Sequence, residues 1–119
     1  MDKTRTIDFI GEECRVYATP AMLNDIELTC RDVLLQHLDA GEDSLGTRVE
    51  LDHLQPTLMG MWTEITATVS AVDGRAVAFD VIVVDEMELT ARCKHNRFIV
   101  DKDKTAARLE AKAARSSHA

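Results

Sequence analysis

Three polar residues stand where the surrounding pattern asks for apolar ones: Glu27, His53 and Arg97. Glu27 interrupts a stripe of Leu23, Ile26, Cys30, Leu34 and Leu38, which step by three or four as one face of a helix does. His53 and Arg97 continue the apolar faces of two different strand-like segments. An acid on a buried face is costly unless it is paired or protonated. Hydrolysing an acyl ester or thioester needs a nucleophile, usually water or a side chain, and donors for the developing oxyanion. A Glu in partly apolar surroundings serves as base or nucleophile, and a neutral His positions water or shuttles a proton. The N-terminus of a helix adds backbone N–H groups, and Thr19 stands at such an end, about two turns before Glu27.

Each residue also has a plain structural explanation. The Glu can be solvated, the His can sit at a surface strand end, and the Arg can snorkel or pair with an acid. Thr19 is accounted for by helix capping alone. A helix packed on the strands would bring the three anomalies together, which gives them weight as a set.

The elements that must position them follow from periodicity. The stretch from Ala18 to Leu38 reads as the one long helix in the body of the chain, with Thr19 as cap and Pro20 in the first turn. It is expected to end near Leu38, before the turn-like Asp39 to Asp43 with Gly41. Asn24 and Asp25 are poor helix formers, expected on a less buried side or facing a polar pocket.

Upstream, Thr4, Thr6 and Asp8 alternate with Arg5, Ile7 and Phe9 as a short edge strand would, and Gly11 ends it. Four strand-like segments follow the helix. The first puts Leu45, Thr47, Val49, Leu51 and His53 on one face. After Pro56 and Gly60, Ile65, Ala67, Val69 and Ala71 alternate with polar residues. Asp73-Gly74 is a hairpin signal. Val77, Phe79, Val81 and Val83 then share a face, as do Leu89, Ala91, Cys93, His95, Arg97 and Ile99. The order of strand, long helix and antiparallel meander makes the class α+β, one helix packed on a sheet. Residues 1–103 form that domain, and 104–119 an Ala-rich charged tail, helical or disordered.

The chain has 119 residues, enough for one core, and a net charge of −7, which argues against nucleic-acid binding. No stretch has the length or apolarity of a membrane span, and the N-terminus lacks a signal-peptide run, so a cytoplasmic protein is expected. Cys14, Cys30 and Cys93 are expected to be free thiols. Cys93 and His95 lack a second pair at ligand spacing, so no metal or other cofactor is expected. Glycine-rich phosphate loops and GxSxG elbows are absent. Trp62, Met59 and Met61 read as core or interface.

At this point the chain resembles the hotdog-fold thioesterases, and within them the fluoroacetyl-CoA thioesterase-like group. The resemblance runs through A-T-P-A-M…E, G-E-D-S-L-G-T-R-V, H-L-Q-P-T-x-x-G, the D-G-R hairpin and H-N-R, roughly residues 16 to 100. It implies a hotdog fold, with a long helix wrapped by an antiparallel sheet, and a homodimer with active sites at the subunit interface. It implies an acyl-CoA substrate, with Thr19, Glu27 and His53 as the catalytic set. Gly46 would lie beside the thioester, and Arg97 would match the Arg of the family's His-x-Arg stretch. On its own residues Gly46 is a plain turn glycine. The fluoroacetyl-specific branch carries a longer, Phe-bearing lid before the Thr. Here Tyr17 is the sole aromatic between Gly11 and Thr19, which argues against fluoroacetyl selectivity. The alternative is a non-catalytic hotdog module that binds an acyl thioester or a related small ligand. A hotdog hydratase lacks its Asp-and-His helix motif.

Overall fold

The computed structural model describes residues 3–7 and 15–116. A single 3-10 turn at Lys3–Arg5 leads into β1 (Thr6–Ile7), which pairs antiparallel with β2 (Val16–Tyr17). This pair forms a small sheet of its own, so the upstream strand does not join the main sheet. Asp8, Phe9, Gly11 and Cys14 lie outside the described residues.

The helix α1 (Thr19–Leu35) starts differently from expectation. Its N-cap is Ala18, in extended conformation, and no side chain caps it. The Ala18 N–H donates to the Arg5 carbonyl at 2.9 Å, and the Ala18 carbonyl accepts from Met22 N–H at 3.0 Å. Backbone bonding fixes the helix entry, so the Thr19 hydroxyl has no capping duty. The helix stops three residues short of Leu38, in a turn closed by His37 N–H on the Leu34 carbonyl at 2.9 Å. Met22, Ile26, Cys30 and Leu34 make the buried stripe, with Leu23 and Leu38 at its margin.

Four strands build the main sheet: β3 (Glu42–His53), β4 (Thr63–Asp73), β5 (Ala76–Asp85) and β6 (Leu89–Asp101). All neighbours are antiparallel, in the order β3-β6-β5-β4. Only β4 to β6 form a meander. The connection through Pro56 and Gly60 carries the chain across the sheet, so β3 lies beside β6 and not beside β4. Gly74 turns the β4–β5 hairpin at φ 60°, where a side chain would be strained. The core lies where Val77, Phe79, Val81 and Val83 of β5 and Ala91 and Cys93 of β6 meet the α1 stripe. Burying each large aliphatic there stabilises the fold by about 1.5–3 kcal/mol.

The inward face of β3 departs from simple alternation. The register slips between Gly46 and Arg48, a bulge that inserts one extra residue. Before it, Ser44 and Gly46 point to the helix side and Leu45 is 52% exposed; after it, Leu51 and His53 point inward. Leu45 and Thr47 were expected to face the core and instead face outward, because a pattern of period two cannot anticipate an inserted residue. Arg31 of α1 clamps this end of β3, its Nε and Nη2 reaching the two Asp43 carboxylate oxygens at 3.0 and 2.7 Å. The described residues end in α2 (Lys102–Ser116), which buries none of its residues. Trp62 is 53% exposed and Met59 44%, so neither belongs to the core.

Candidate active site

Thr19 and His53 meet. The first helical residue of α1 lies against the last residue of β3, with Thr19 Oγ1 2.8 Å from His53 Nδ1. His53 Nε2 is buried and has no hydrogen-bond partner among the described residues. Burial lowers the His53 pKa below its ordinary 6.5, and the nearby Gln55 backbone opposes this to a lesser degree. The imidazole is therefore neutral at pH 7, able to accept a proton. The two residues edge a cavity of about 320 Å³, whose apolar wall comes from Ile7, Val16, Tyr17, Leu54 and Pro56.

Glu27, Gly46 and Arg97 form a second group. A Cβ placed on Gly46 would stand 2.8 Å from Glu27 Oε1, 3.1 Å from His95 Cε1 and 3.5 Å from Arg97 Nη1. Gly46 is thus no plain turn glycine; its missing side chain admits three polar groups to the β3 backbone. The Glu27 carboxylate makes no hydrogen bond or ion pair with any described residue, which leaves its oxygens available. Arg97 is 5% exposed and bonds only to neutral groups: Nε to Ser44 Oγ at 2.7 Å, Nη2 to the Ser44 carbonyl at 2.8 Å, and Nη1 to His95 Nε2 at 3.1 Å. Burial draws its pKa below the ordinary value, and Glu27 is the foremost group opposing that shift.

Within one chain the two groups stay apart. Eight residues of helix place Glu27 ~12 Å along the axis from Thr19. The strand from Gly46 to His53 spans roughly 20 Å. The convergence expected of Glu27, His53 and Arg97 therefore holds for Glu27 with Arg97, and not for His53 with either.

His95 enters the sequence reading as part of the H-N-R stretch and as a discounted metal ligand beside Cys93, with no role of its own. It is 1% exposed and wedged between β3 and Arg97. Its signal in the sequence was its inward phase between Cys93 and Arg97. No cluster of His, Cys, Asp or Glu among the described residues is arranged to hold a metal. Burial pushes the Cys30 thiol up to about 12 and the Cys93 thiol up to about 11, so neither serves as a nucleophile.

Asp25 neither points to water nor enters the cavity. It accepts from the Tyr17 hydroxyl and from Arg5 Nε at 3.1 Å, and so ties α1 to β2 and to the 3-10 turn that leads into β1. Asn24 is exposed. A larger hollow, about 370 Å³, opens on the other face of the sheet among Glu50, Asp52, Asp80, Arg92 and Lys94. Its acids and bases are exposed and alternate in sign, which is the character of a solvated surface. The smaller, apolar cavity at Thr19 and His53 is the one with chemistry at its edge.

Comparison with known proteins bears on the family and the fold. Residues 1–103 match the family described as fluoroacetyl-CoA-specific thioesterase, FlK. The fluoroacetyl-CoA thioesterase of Streptantibioticus cattleyicolor is 29% identical over 97 residues, spanning 82% of this chain and 70% of that one. A hypothetical protein of Thermus thermophilus, solved as a thioesterase superfamily member, superposes with a TM-score of 0.89 at 28% identity, over 100% of this chain and 89% of that one. A hot-dog-like protein from Thermanaerovibrio acidaminovorans gives 0.78 at 26% identity, covering 82% and 72%. The α+β architecture is the hotdog fold.

Proposed function

The chain belongs to the fluoroacetyl-CoA-specific thioesterase family, and from that premise we propose that Thr19, Glu27 and His53 carry out its hydrolysis of an acyl-CoA thioester, with Gly46 and Arg97 against the thioester group. The observation that carries the residue assignment is the 2.8 Å contact of Thr19 Oγ1 with His53 Nδ1 at the edge of an apolar cavity. With the Thr19 hydroxyl donating to Nδ1, the His53 proton sits on Nε2, the buried nitrogen that lacks an acceptor. An unsatisfied buried donor costs about 1–3 kcal/mol, a cost that an arriving substrate oxygen or sulfur removes.

Water adds to the thioester carbonyl as the free Glu27 carboxylate takes its proton. The free N–H groups of the first turn of α1, which no side chain caps, and the Arg97 guanidinium favour negative charge on the carbonyl oxygen. The tetrahedral adduct collapses, the C–S bond breaks, and the proton held by Glu27 passes to the departing CoA thiolate. The products are the free acid and CoA.

This chemistry needs both residue groups around one thioester, and one chain keeps them apart. A homodimer resolves the separation. β3 is an edge strand of the main sheet, and Thr47, Arg48, Val49 and Glu50 along it are all exposed. Pairing it antiparallel with a second β3 about a two-fold near Val49 brings His53 of one protomer opposite the Gly46 end of the other. Each site then takes Thr19 and His53 from one protomer and Glu27, Gly46 and Arg97 from its partner. Fluoroacetyl-CoA is one candidate among small acyl groups for the Ile7, Val16 and Tyr17 wall.

The direct test is release of free thiol from a panel of acyl-CoAs. Turnover of at least one is expected, with Glu27→Gln and His53→Ala each lowering kcat by about 100-fold or more while the fold is kept. No thiol release across short, long and aryl acyl groups defeats the reading.

A further inference from the structure

Arg97 is an anomaly in its own right. A guanidinium only 5% exposed ordinarily has a carboxylate against it, because burying an unpaired charge costs several kcal/mol. Here every acceptor bonded to it is neutral: the Ser44 hydroxyl, the Ser44 carbonyl and the His95 ring. Such a cage holds the guanidinium without cancelling its charge. One N–H on each terminal nitrogen stays unused, and Nη1 is 3.5 Å from where a Gly46 Cβ would stand, with Glu27 Oε1 2.8 Å from the same point.

The His95 ring has only one protonation state that fits. Arg97 Nη1 is solely a donor, so His95 Nε2 must accept from it at 3.1 Å. The Arg48 carbonyl is solely an acceptor, so His95 Nδ1 must carry the proton and donate to it at 2.8 Å. Both neighbours call for the same neutral tautomer. The Arg48 carbonyl also belongs to the β3 bulge, which turns Gly46 toward Glu27. One buried ring therefore joins the guanidinium to the strand irregularity that opens the space in front of it.

We propose that His95 is a positioning residue for thioester hydrolysis: as the neutral Nδ1–H tautomer it orients Arg97 over Gly46 and keeps that cation free for the oxyanion. This rests on the placement of Arg97 beside the thioester. A carboxylate in its place would pair with Arg97 and spend the charge. An apolar residue would fill the volume and leave Nη1 without its acceptor, the guanidinium held from the Ser44 side alone.

The experiment combines kinetics with nitrogen NMR on the full-length protein. His95→Leu is expected to lower kcat by roughly 10- to 100-fold, the size of loss that outer-shell partners of metal ligands show, with little change in KM. His95→Gln supplies an amide donor and acceptor and is expected to recover most of the rate. In an Arg97→Met background, His95→Leu should add almost nothing, because its effect passes through Arg97. Multiplying losses in that double variant, or a His95→Leu enzyme of wild-type kcat, overturns the proposal. In the wild-type protein the His95 nitrogen shifts should report a protonated Nδ1 and a bare Nε2. A protonated Nε2 overturns the proposal even if every variant folds poorly. Slow exchange of the Arg97 Nη1 protons, kept in His95→Gln and lost in His95→Leu, reads the positioning without turnover. A wild-type protein that hydrolyses no acyl-CoA but keeps this signature defeats the functional reading alone.

Discussion

At the residue scale, the site depends on groups left unused by the fold. Thr19 is the clearest case: its position at a helix start invites a capping role, yet Ala18 takes that place through backbone bonds and the hydroxyl turns to His53. Sequence could mark Thr19 and not its partner, since capping and catalysis ask for the same residue type. Gly46 offers a sharp test. In Gly46→Ala the new methyl meets Glu27 Oε1, the mobile end of a side chain, so the carboxylate yields and the backbone need not. A fall in kcat/KM of about 10-fold or more is expected with a melting temperature within a few degrees of wild type. Steady-state rates and a thermal melt decide it. The His53 pKa is lowered by burial, and the neutral ring is the working form. The acid limb of kcat/KM against pH should therefore fall below 6.5, with a plateau through neutral pH. The same shift has a stability sign: the unfolded chain binds this proton first, so the contribution is complete above pH 6.5 and declines as pH falls. A midpoint above 6.5 would contradict both statements.

At the scale of elements, the hydrophobic stripe of α1 and the four strands after it were legible because each has many apolar positions in one phase. Ile26 sits fully buried at the middle of that stripe. Ile26→Ala should cost about 3 kcal/mol, seen as a shifted denaturation midpoint at unchanged slope. Three features escaped the pattern. The neighbour of β3 is β6, since strand order depends on how a loop crosses the sheet, and no local periodicity records that. The β3 bulge reversed Leu45 and Ser44 for the same reason. The Arg31–Asp43 clamp was equally invisible, being a pairing across two elements. It holds the Asp43 carboxyl down at about 2, chiefly through the Arg31 hydrogen bond.

At the scale of the molecule, the distance between the Thr19–His53 pair and the Glu27–Gly46–Arg97 group is the fact that any function must answer. The residue pattern brought Thr19, Glu27, His53 and Arg97 to notice, while Gly46 and an interface site came only with the resemblance. That one chain divides the five is not in the pattern, because spacing along the chain carries no distance across a sheet. If two protomers complete each site, Thr19→Ala and Glu27→Gln proteins, each nearly inactive alone, should complement when unfolded and reassembled together. Random pairing makes half of the dimers mixed, each with one intact site, so about a quarter of wild-type activity is expected. No recovery, with mixed dimers verified by mass, would place each site within one protomer.

The extra residue in β3 makes the strand behave like a sentence with a shifted reading frame. Deleting Thr47 would remove the extra residue: Gly46 would keep Arg97 as its partner and Arg48 would keep Asn96, so strict alternation returns with every remaining side chain on its present face. Ser44 and Gly46 would still meet the helix side, and Leu51 and His53 would still point inward, while the local bend and twist of the bulge are lost. A change of a single codon thus separates what the site takes from the faces of β3 from what it takes from the strand's bend.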